Sequence, residues 1–351
     1  MQFPLFQPPT EWVMPDGYPD LSHAREVAID LETRDPNLTT MGSGWARKDG
    51  HIIGVAVAVE GDQWYFPIRH ELGPNLDPKT TLRWLQDVVS IDRDYVFHNA
   101  PYDVGWMLAE GVSVKGRIVD TMVVAPLLDE NRFSYALNAI GRDYLQERKS
   151  EKELREAAEA FGVNAKSEMF KLPAAYVGAY AEQDAALTLR LWTFFKGLII
   201  KEDIGDIFDL ELKVLKTIIP MRQRGVRVDL EKAERIKIDL EQREKKLLAE
   251  IKRQSGIAVE LWAAESVSKA FDALNLEYNK TEKTGAPSFT KGFLANHPHE
   301  VPKMIVEARE FNKARTTFVD AILKHQVNGR IHAELHPLRS DDGGTVTGRF
   351  S

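Results

Sequence analysis

The chain contains no cysteine. A disulfide framework, a thiolate zinc site and a thiol nucleophile are therefore excluded. No apolar run approaches the ~18 residues of a membrane span, and no basic-then-apolar leader opens the sequence, so a soluble, cytoplasmic protein with no membrane partner is expected. The nine histidines form no H-E-x-x-H pair and there is no G-x-x-x-x-G-K-[ST] loop, which sets aside zinc hydrolases and P-loop enzymes. Positive charge is not in excess either, the formal net charge being −7. Its distribution is uneven. Residues 1–200 hold 20 Lys and Arg against 29 Asp and Glu, while residues 201–351 hold 26 against 24. The first part is acidic, as a carboxylate metal centre would be; the second carries basic clusters that could meet phosphates. With 351 residues, 43% of them hydrophobic, the chain supports ~2 domains with ordinary cores.

What is present is organised around Glu26-Val27-Ala28-Ile29-Asp30-Leu31-Glu32-Thr33. Alternation with period two reads as a strand, with Asp30 and Glu32 on one face a single pleat apart. Two carboxylates held that close repel, and a basic partner, a shared proton or a metal ion must relieve them. No Lys or Arg interrupts the strand, so a hard divalent cation is a natural candidate; a solvated strand face is the plainer alternative.

Two further strands, His51–Val59 and Gln63–Pro67, follow a loop over residues 33–50 and predict an antiparallel meander. A helix over Thr80–Val89 leads to a fourth strand, Tyr95–Phe97, and then to His98-Asn99-Ala100-Pro101-Tyr102-Asp103. Pro101 suits a helix first turn with Asn99 or Ala100 at the cap, and places Asp103 near the positive end of the helix dipole. Arg117–Val119 is a fifth strand, and Asp120-Thr121 opens an apolar helix to Leu128. Helical stretches near 134–147 and 150–160 come next, the latter strongly charged. A long helix is predicted over Leu172–Phe195. Tyr180 and Asp184 lie one turn apart on it. Residues 196–208 read as a junction. Beyond it, Leu210–Arg224, a charged helix from the Asp229 cap to about Ser255 (Ile236, Leu240, Leu247 and Ile251 at core spacing), Ser266–Leu274 and Pro302–Leu323 read as helical.

Taken together, Asp30-Leu31-Glu32-Thr33, Asn99-Ala100-Pro101-Tyr102-Asp103 and Tyr180-Ala181-Glu182-Gln183-Asp184 resemble the three motifs of the DEDD 3′–5′ exonucleases. Tyr180 in place of His resembles their DEDDy branch. The later features resemble the polymerase domain of family A DNA polymerases: Arg224-Gly225-Val226 with Asp229, Lys283-Thr284-Gly285-Ala286-Pro287-Ser288, Lys313-Ala314-Arg315-Thr316-Thr317, Gly329-Arg330-Ile331-His332 and Thr345-Val346-Thr347-Gly348-Arg349-Phe350-Ser351. The resemblance runs from about residue 24 to the last residue. It implies an α/β fold: a ribonuclease H-like exonuclease domain, residues 1–200, followed by a mainly helical partial polymerase domain, residues 201–351, comprising thumb and early palm.

That resemblance also implies a chemistry. Asp30, Glu32, Asp103 and Asp184 would hold two Mg²⁺ or Mn²⁺ ions, one activating the attacking water and the other stabilising the leaving 3′ oxygen. Tyr180 would orient that water, and the product would be a 5′-mononucleotide from a single-stranded 3′ end. Asn99 would donate to sugar or phosphate, or simply cap its helix. Lys313, Arg315, Thr316, Thr317 and Arg349 would contact the backbone of a primer–template duplex without reading sequence. Other replication proteins are implied as partners, in the cytoplasm or, for a phage-encoded chain, that of its host. The family's polymerisation acids lie beyond Thr347-Gly348-Arg349, so primer extension is not expected from these residues alone. Two alternatives share parts of the pattern: an RNase D-like exoribonuclease, and a non-catalytic DNA-binding polymerase fragment.

Overall fold

The computed structural model describes residues 8–336, which fall into two compact units: 8–225 with 332–336, and Val226–Ile331. Arg349 and the motif around it lie outside the described residues.

In the first unit, β1 (Glu26–Arg34), β2 (His51–Val59) and β3 (Asp62–Pro67) form the expected antiparallel meander. β4 (Asp94–Phe97) and β5 (Arg117–Asp120) add parallel to β1, giving the order β3-β2-β1-β4-β5. Val27, Ile29 and Leu31 are buried, while Asp30 and Glu32 are half-buried on the other side of the pleat. The β1–β2 register slips between Glu32 and Thr33. Such a bulge adds local twist and re-aims the strand end.

Helices share one hydrophobic core with this sheet: α1 (Pro78–Val89), α2 (Ala100–Ala109), α3 (Thr121–Leu128), α4 (Lys152–Phe161), α5 (Gly178–Lys201) and α6 (Gly205–Arg224). α5 lies across β1, β2 and β3 and buries Ala181, Leu187, Leu191, Trp192 and Phe195. It starts later than its apolar pattern predicts. Leu172 precedes Pro173 and is held extended, and a single 3₁₀ turn, Ala174–Tyr176, intervenes before Gly178. The segments 33–50 and 134–147 also differ from expectation. The first holds a helical turn at Leu38–Met41 and a 3₁₀ turn at Trp45–Arg47; the second holds only Leu137–Ile140 and a π turn, Gly141–Leu145.

The compact units divide after Gly225, further along the chain than the expected boundary at 200/201. The cause is α6, whose Phe208, Leu212, Leu215, Ile218 and Ile219 form one apolar stripe buried in the first core. Residues 332–336 also return to this unit. His332 Nδ1 donates to the Arg222 carbonyl at 2.7 Å, and the Glu334 carboxylate accepts from Ser43 N and Oγ, both at 2.7 Å, and pairs with Arg222 at 2.8 Å.

The second unit is mainly helical. Asp229 caps α7 (Leu230–Ser255) by accepting from Lys232 N at 3.0 Å. α8 (Ala264–Ala273) and α9 (Glu300–Lys313) complete its core around Ile251, Val267, Phe271, Leu294 and Ile305. Only the second half of α7 serves this core: Leu247 and Ile251 pack there, whereas Ile236 is exposed.

Candidate active site

β1, α2 and α5 bring the three acidic motifs together. Asp30 and Glu32 project from β1, and Asp184 meets them from α5. One carboxylate oxygen from each of the three lies within 4.8 Å of the others. Asp103, in the first turn of α2, stands beside rather than within that trio: its Oδ1 accepts from the Leu31 backbone N–H at 3.0 Å, and the charge of Asp30 acts on it. The first two motifs are bonded a second time, Thr33 Oγ1 to the Tyr102 hydroxyl at 2.6 Å.

Electrostatics follow from this crowding. Burial, and then repulsion from Asp184, push Asp30 up to about 7. Glu32 and Asp103 are held well above the usual carboxylate range, first by burial and then by the charge of Asp30. Asp184 is raised by burial, against the pull of Lys149. Burial and the neighbouring carboxylates push the Tyr180 phenol upward as well, so it stays neutral.

Sequence reasoning missed Lys149. Its ammonium lies 2.5 Å from Asp184 Oδ2 and 3.1 Å from the Tyr180 hydroxyl, and sits 4.3 Å from the centroid of the Tyr180 ring. The local string Glu147-Arg148-Lys149-Ser150-Glu151-Lys152 reads as a solvated charged stretch, and nothing in its spacing signals a buried cation. Asp120 was read only as a helix opener. It does cap α3 through Met122 N at 2.9 Å, but it also accepts from Asn99 N at 3.0 Å and Ala100 N at 2.8 Å. That clamp holds Asn99 in the left-handed region at φ 77°. Asn99 occupies the cap position of α2, yet its side chain makes no capping bond and is exposed. With Trp45, Tyr102 and Arg222 it lines a cavity of about 240 Å³.

The donor set fits a hard divalent cation. All three clustered groups are carboxylates, burial and the charge of Asp184 leave Asp30 raised despite Lys149, and Asp184 Oδ1 is buried with no hydrogen-bond partner. Of the expected DNA-contact residues in the second unit, Lys313, Thr316 and Thr317 are exposed. Arg315 is instead engaged by Glu244 at 3.2 Å and Asp320 at 3.6 Å, and the Thr316 hydroxyl donates to the Asn312 carbonyl at 2.8 Å.

Comparison with known proteins gives concordant matches. Residues 17–200 match the 3′-5′ exonuclease family, and residues 230–351 match DNA polymerase family A. A DNA-directed DNA polymerase of Pseudomonas phage M6 is 35% identical over 369 aligned positions, covering 100% of this chain and 55% of the relative. DNA polymerase I of Pseudomonas aeruginosa is 26% identical, covering 94% of this chain and 36% of the relative. The chain thus spans about half the length, or less, of these relatives. Among solved structures, the POL domain of Pol1 from M. smegmatis, in complex with DNA primer-template and dNTP, has a similar fold. It gives a TM-score of 0.65 at 18% identity, over 94% of this chain and 52% of that one.

Proposed function

Because this chain belongs to the 3′-5′ exonuclease family and carries part of a family A DNA polymerase domain, we propose that it is a proofreading nuclease. It removes 5′-mononucleotides from single-stranded DNA 3′ ends. The observation that carries the reading is the Asp30–Glu32–Asp184 cluster with Tyr180 one helical turn from Asp184. Those three carboxylates, with Asp103 alongside, would hold Mg²⁺ or Mn²⁺. Bound there, such ions would supply Lewis-acid stabilisation of charge on the phosphate and leaving oxygen, and would acidify the attacking water.

The protein's own groups do the rest. Tyr180 keeps its proton and so offers a fixed hydroxyl to orient water. Asp120 locks the Asn99–Ala100 turn, leaving the Asn99 amide exposed for sugar or phosphate. Thr33 and Tyr102 fasten β1 to α2, so the acids on both keep their separation. In the second unit Lys313, Thr316 and Thr317, and beyond the described residues Arg349, are proposed contacts to the duplex backbone. An RNase D-like exoribonuclease loses support from the family A polymerase match of residues 230–351. A decayed, non-catalytic fragment loses support from the presence of all four acids and Tyr180.

The test is hydrolysis of end-labelled single-stranded DNA with and without Mg²⁺, comparing the wild type with Asp30→Ala and Asp184→Ala. Metal-dependent release of mononucleotides, abolished in both folded variants, is expected. Undiminished release by either variant would remove these acids from the reaction.

A further inference from the structure

The only basic residue of the strand holding Asp30 and Glu32 is Arg34 at its end, yet a cation reaches the acid cluster from a segment outside the three motifs. Three tethers deliver it. Arg190 of α5 binds Glu147 through bonds of 3.0, 3.1 and 2.6 Å. Ser150 N donates to Gln183 Oε1 at 3.1 Å, and Lys149 N donates to Asn138 Oδ1 at 3.1 Å. Two of these tethers stitch the segment around Lys149 to the helix that bears Tyr180 and Asp184, and the third ties it to the turn Leu137–Ile140. The side chain that results is nearly buried, with 7% of its surface exposed, and bonds to both of those residues.

We propose that Lys149 is a resident counter-cation that positions Asp184 and Tyr180 before divalent ions arrive, and that it competes with those ions for the Asp184 carboxylate. This rests on the exonuclease reading of the site. The physical reason is charge. Three clustered carboxylates without a cation are costly in a half-buried site, and one ammonium relieves part of that cost. An ion that takes Asp184 must either displace the ammonium from Oδ2 or bind Oδ1 against its positive charge, so Lys149 weakens ion binding while making the empty arrangement more stable. A positioning residue of this kind sets how readily the site loads, separately from the chemical step.

The experiment is Mn²⁺ binding followed by electron paramagnetic resonance on the full chain at about pH 8, where Asp30 is largely ionised. Wild type, Lys149→Met, Lys149→Arg and Asp184→Ala are compared. Removing a competing unit charge at this distance should tighten Mn²⁺ binding about tenfold or more in Lys149→Met. The same variant should show a lower melting temperature without metal and a larger rise with it, and Lys149→Arg should stay near wild type. Equal or weaker Mn²⁺ binding by a folded Lys149→Met overturns the proposal. If the wild type itself binds Mn²⁺ no better than Asp184→Ala, the metal-site reading fails instead. Should Lys149→Met not fold, lysine ammonium NMR of the wild type decides. A protected resonance, missing in Lys149→Arg, is expected to change on saturation with Mg²⁺; a resonance that does not move refutes the competition.

Discussion

The backbone N–H of Leu31 donates to Oδ1 of Asp103 at 3.0 Å, tying the strand that carries Asp30 and Glu32 to the first turn of the helix after β4. One oxygen of Asp103 is thus structural, and its charge is a separate property. Two substitutions separate them. Asp103→Asn keeps an acceptor for Leu31 and should leave the melting temperature unchanged or raised, while hydrolysis falls by ~10²-fold or more, as for loss of an electrostatic stabiliser. Asp103→Ala strands a buried N–H and should in addition lose about 1–3 kcal/mol of stability. Thermal denaturation of the pair checks this; equal melting temperatures would show that the Leu31 bond contributes nothing.

Tyr180 offers a second separation. Its hydroxyl accepts from Lys149 at 3.1 Å and stands one turn from Asp184. Tyr180→Phe is expected to lower kcat for single-stranded DNA with little change in KM, since the ring and its packing stay. A raised KM at constant kcat would make Tyr180 a substrate-binding residue instead.

Much of this site was legible because its acids recur at fixed places on elements whose periodicity is strong. β1 alternates cleanly, Pro101 marks the start of α2, and Tyr180 and Asp184 share a helix face. Lys149 was not legible. Its partners lie 31 and 35 residues away in sequence, and its neighbours have the composition of a solvated helix. Where the compact units divide was not legible for a related reason: the stripe from Phe208 to Ile219 says that α6 is half-buried, not which core it joins. Gly54 gives a third case. In sequence it is a weak point inside an apolar strand. In the structure it faces Glu32 across β1–β2, and a Cβ there would meet the Tyr65 hydroxyl at 2.0 Å.

That contact makes Gly54→Ala informative. Tyr65 is fully buried, its hydroxyl bonded to His70 Nε2 at 2.7 Å, so it has little room to yield. Overpacking of this sort costs about 1–3 kcal/mol. The expected result is a lowered melting temperature together with reduced hydrolysis, because the strain falls opposite Glu32. Loss of stability with full activity would show that β2 absorbs the change without moving β1.

The raised carboxylates predict a pH dependence of the metal-free protein. Asp30 holds its proton up to about 7, whereas an unfolded Asp releases it near ~4. Between those values the native state binds more protons than the unfolded state, so this group's contribution to stability is full below ~4 and is lost as pH rises through about 7. In EDTA, the melting temperature of the wild type relative to Asp30→Asn should therefore fall across that window. Mg²⁺ should reverse the fall, since an ion bound only by the native state stabilises it. A wild-type curve parallel to that of Asp30→Asn would mean that Asp30 is not raised.

In the second unit, Lys313 and Arg315 share a motif but not a situation. Lys313 is exposed. Arg315 pairs with Glu244 at 3.2 Å and Asp320 at 3.6 Å, and its side chain is 20% exposed. Glu244 is buried at 8% exposure and accepts from Asn312 Nδ2 at 2.9 Å as well. Removing Arg315 would therefore leave a buried carboxylate with one neutral partner, a loss of about 1–3 kcal/mol. Removing Lys313 would leave the fold alone. If Lys313 meets a phosphate, Lys313→Ala should weaken primer–template binding uniformly across sequences and reduce the log–log salt slope by about 1. Arg315→Ala should lower the melting temperature first, with binding lost in proportion to unfolding. The two effects are read by fluorescence anisotropy over a salt series alongside thermal denaturation of each variant. An Arg315→Ala protein of wild-type stability but shallower salt slope would reverse the assignment, making Arg315 the phosphate contact and its ion pairs incidental.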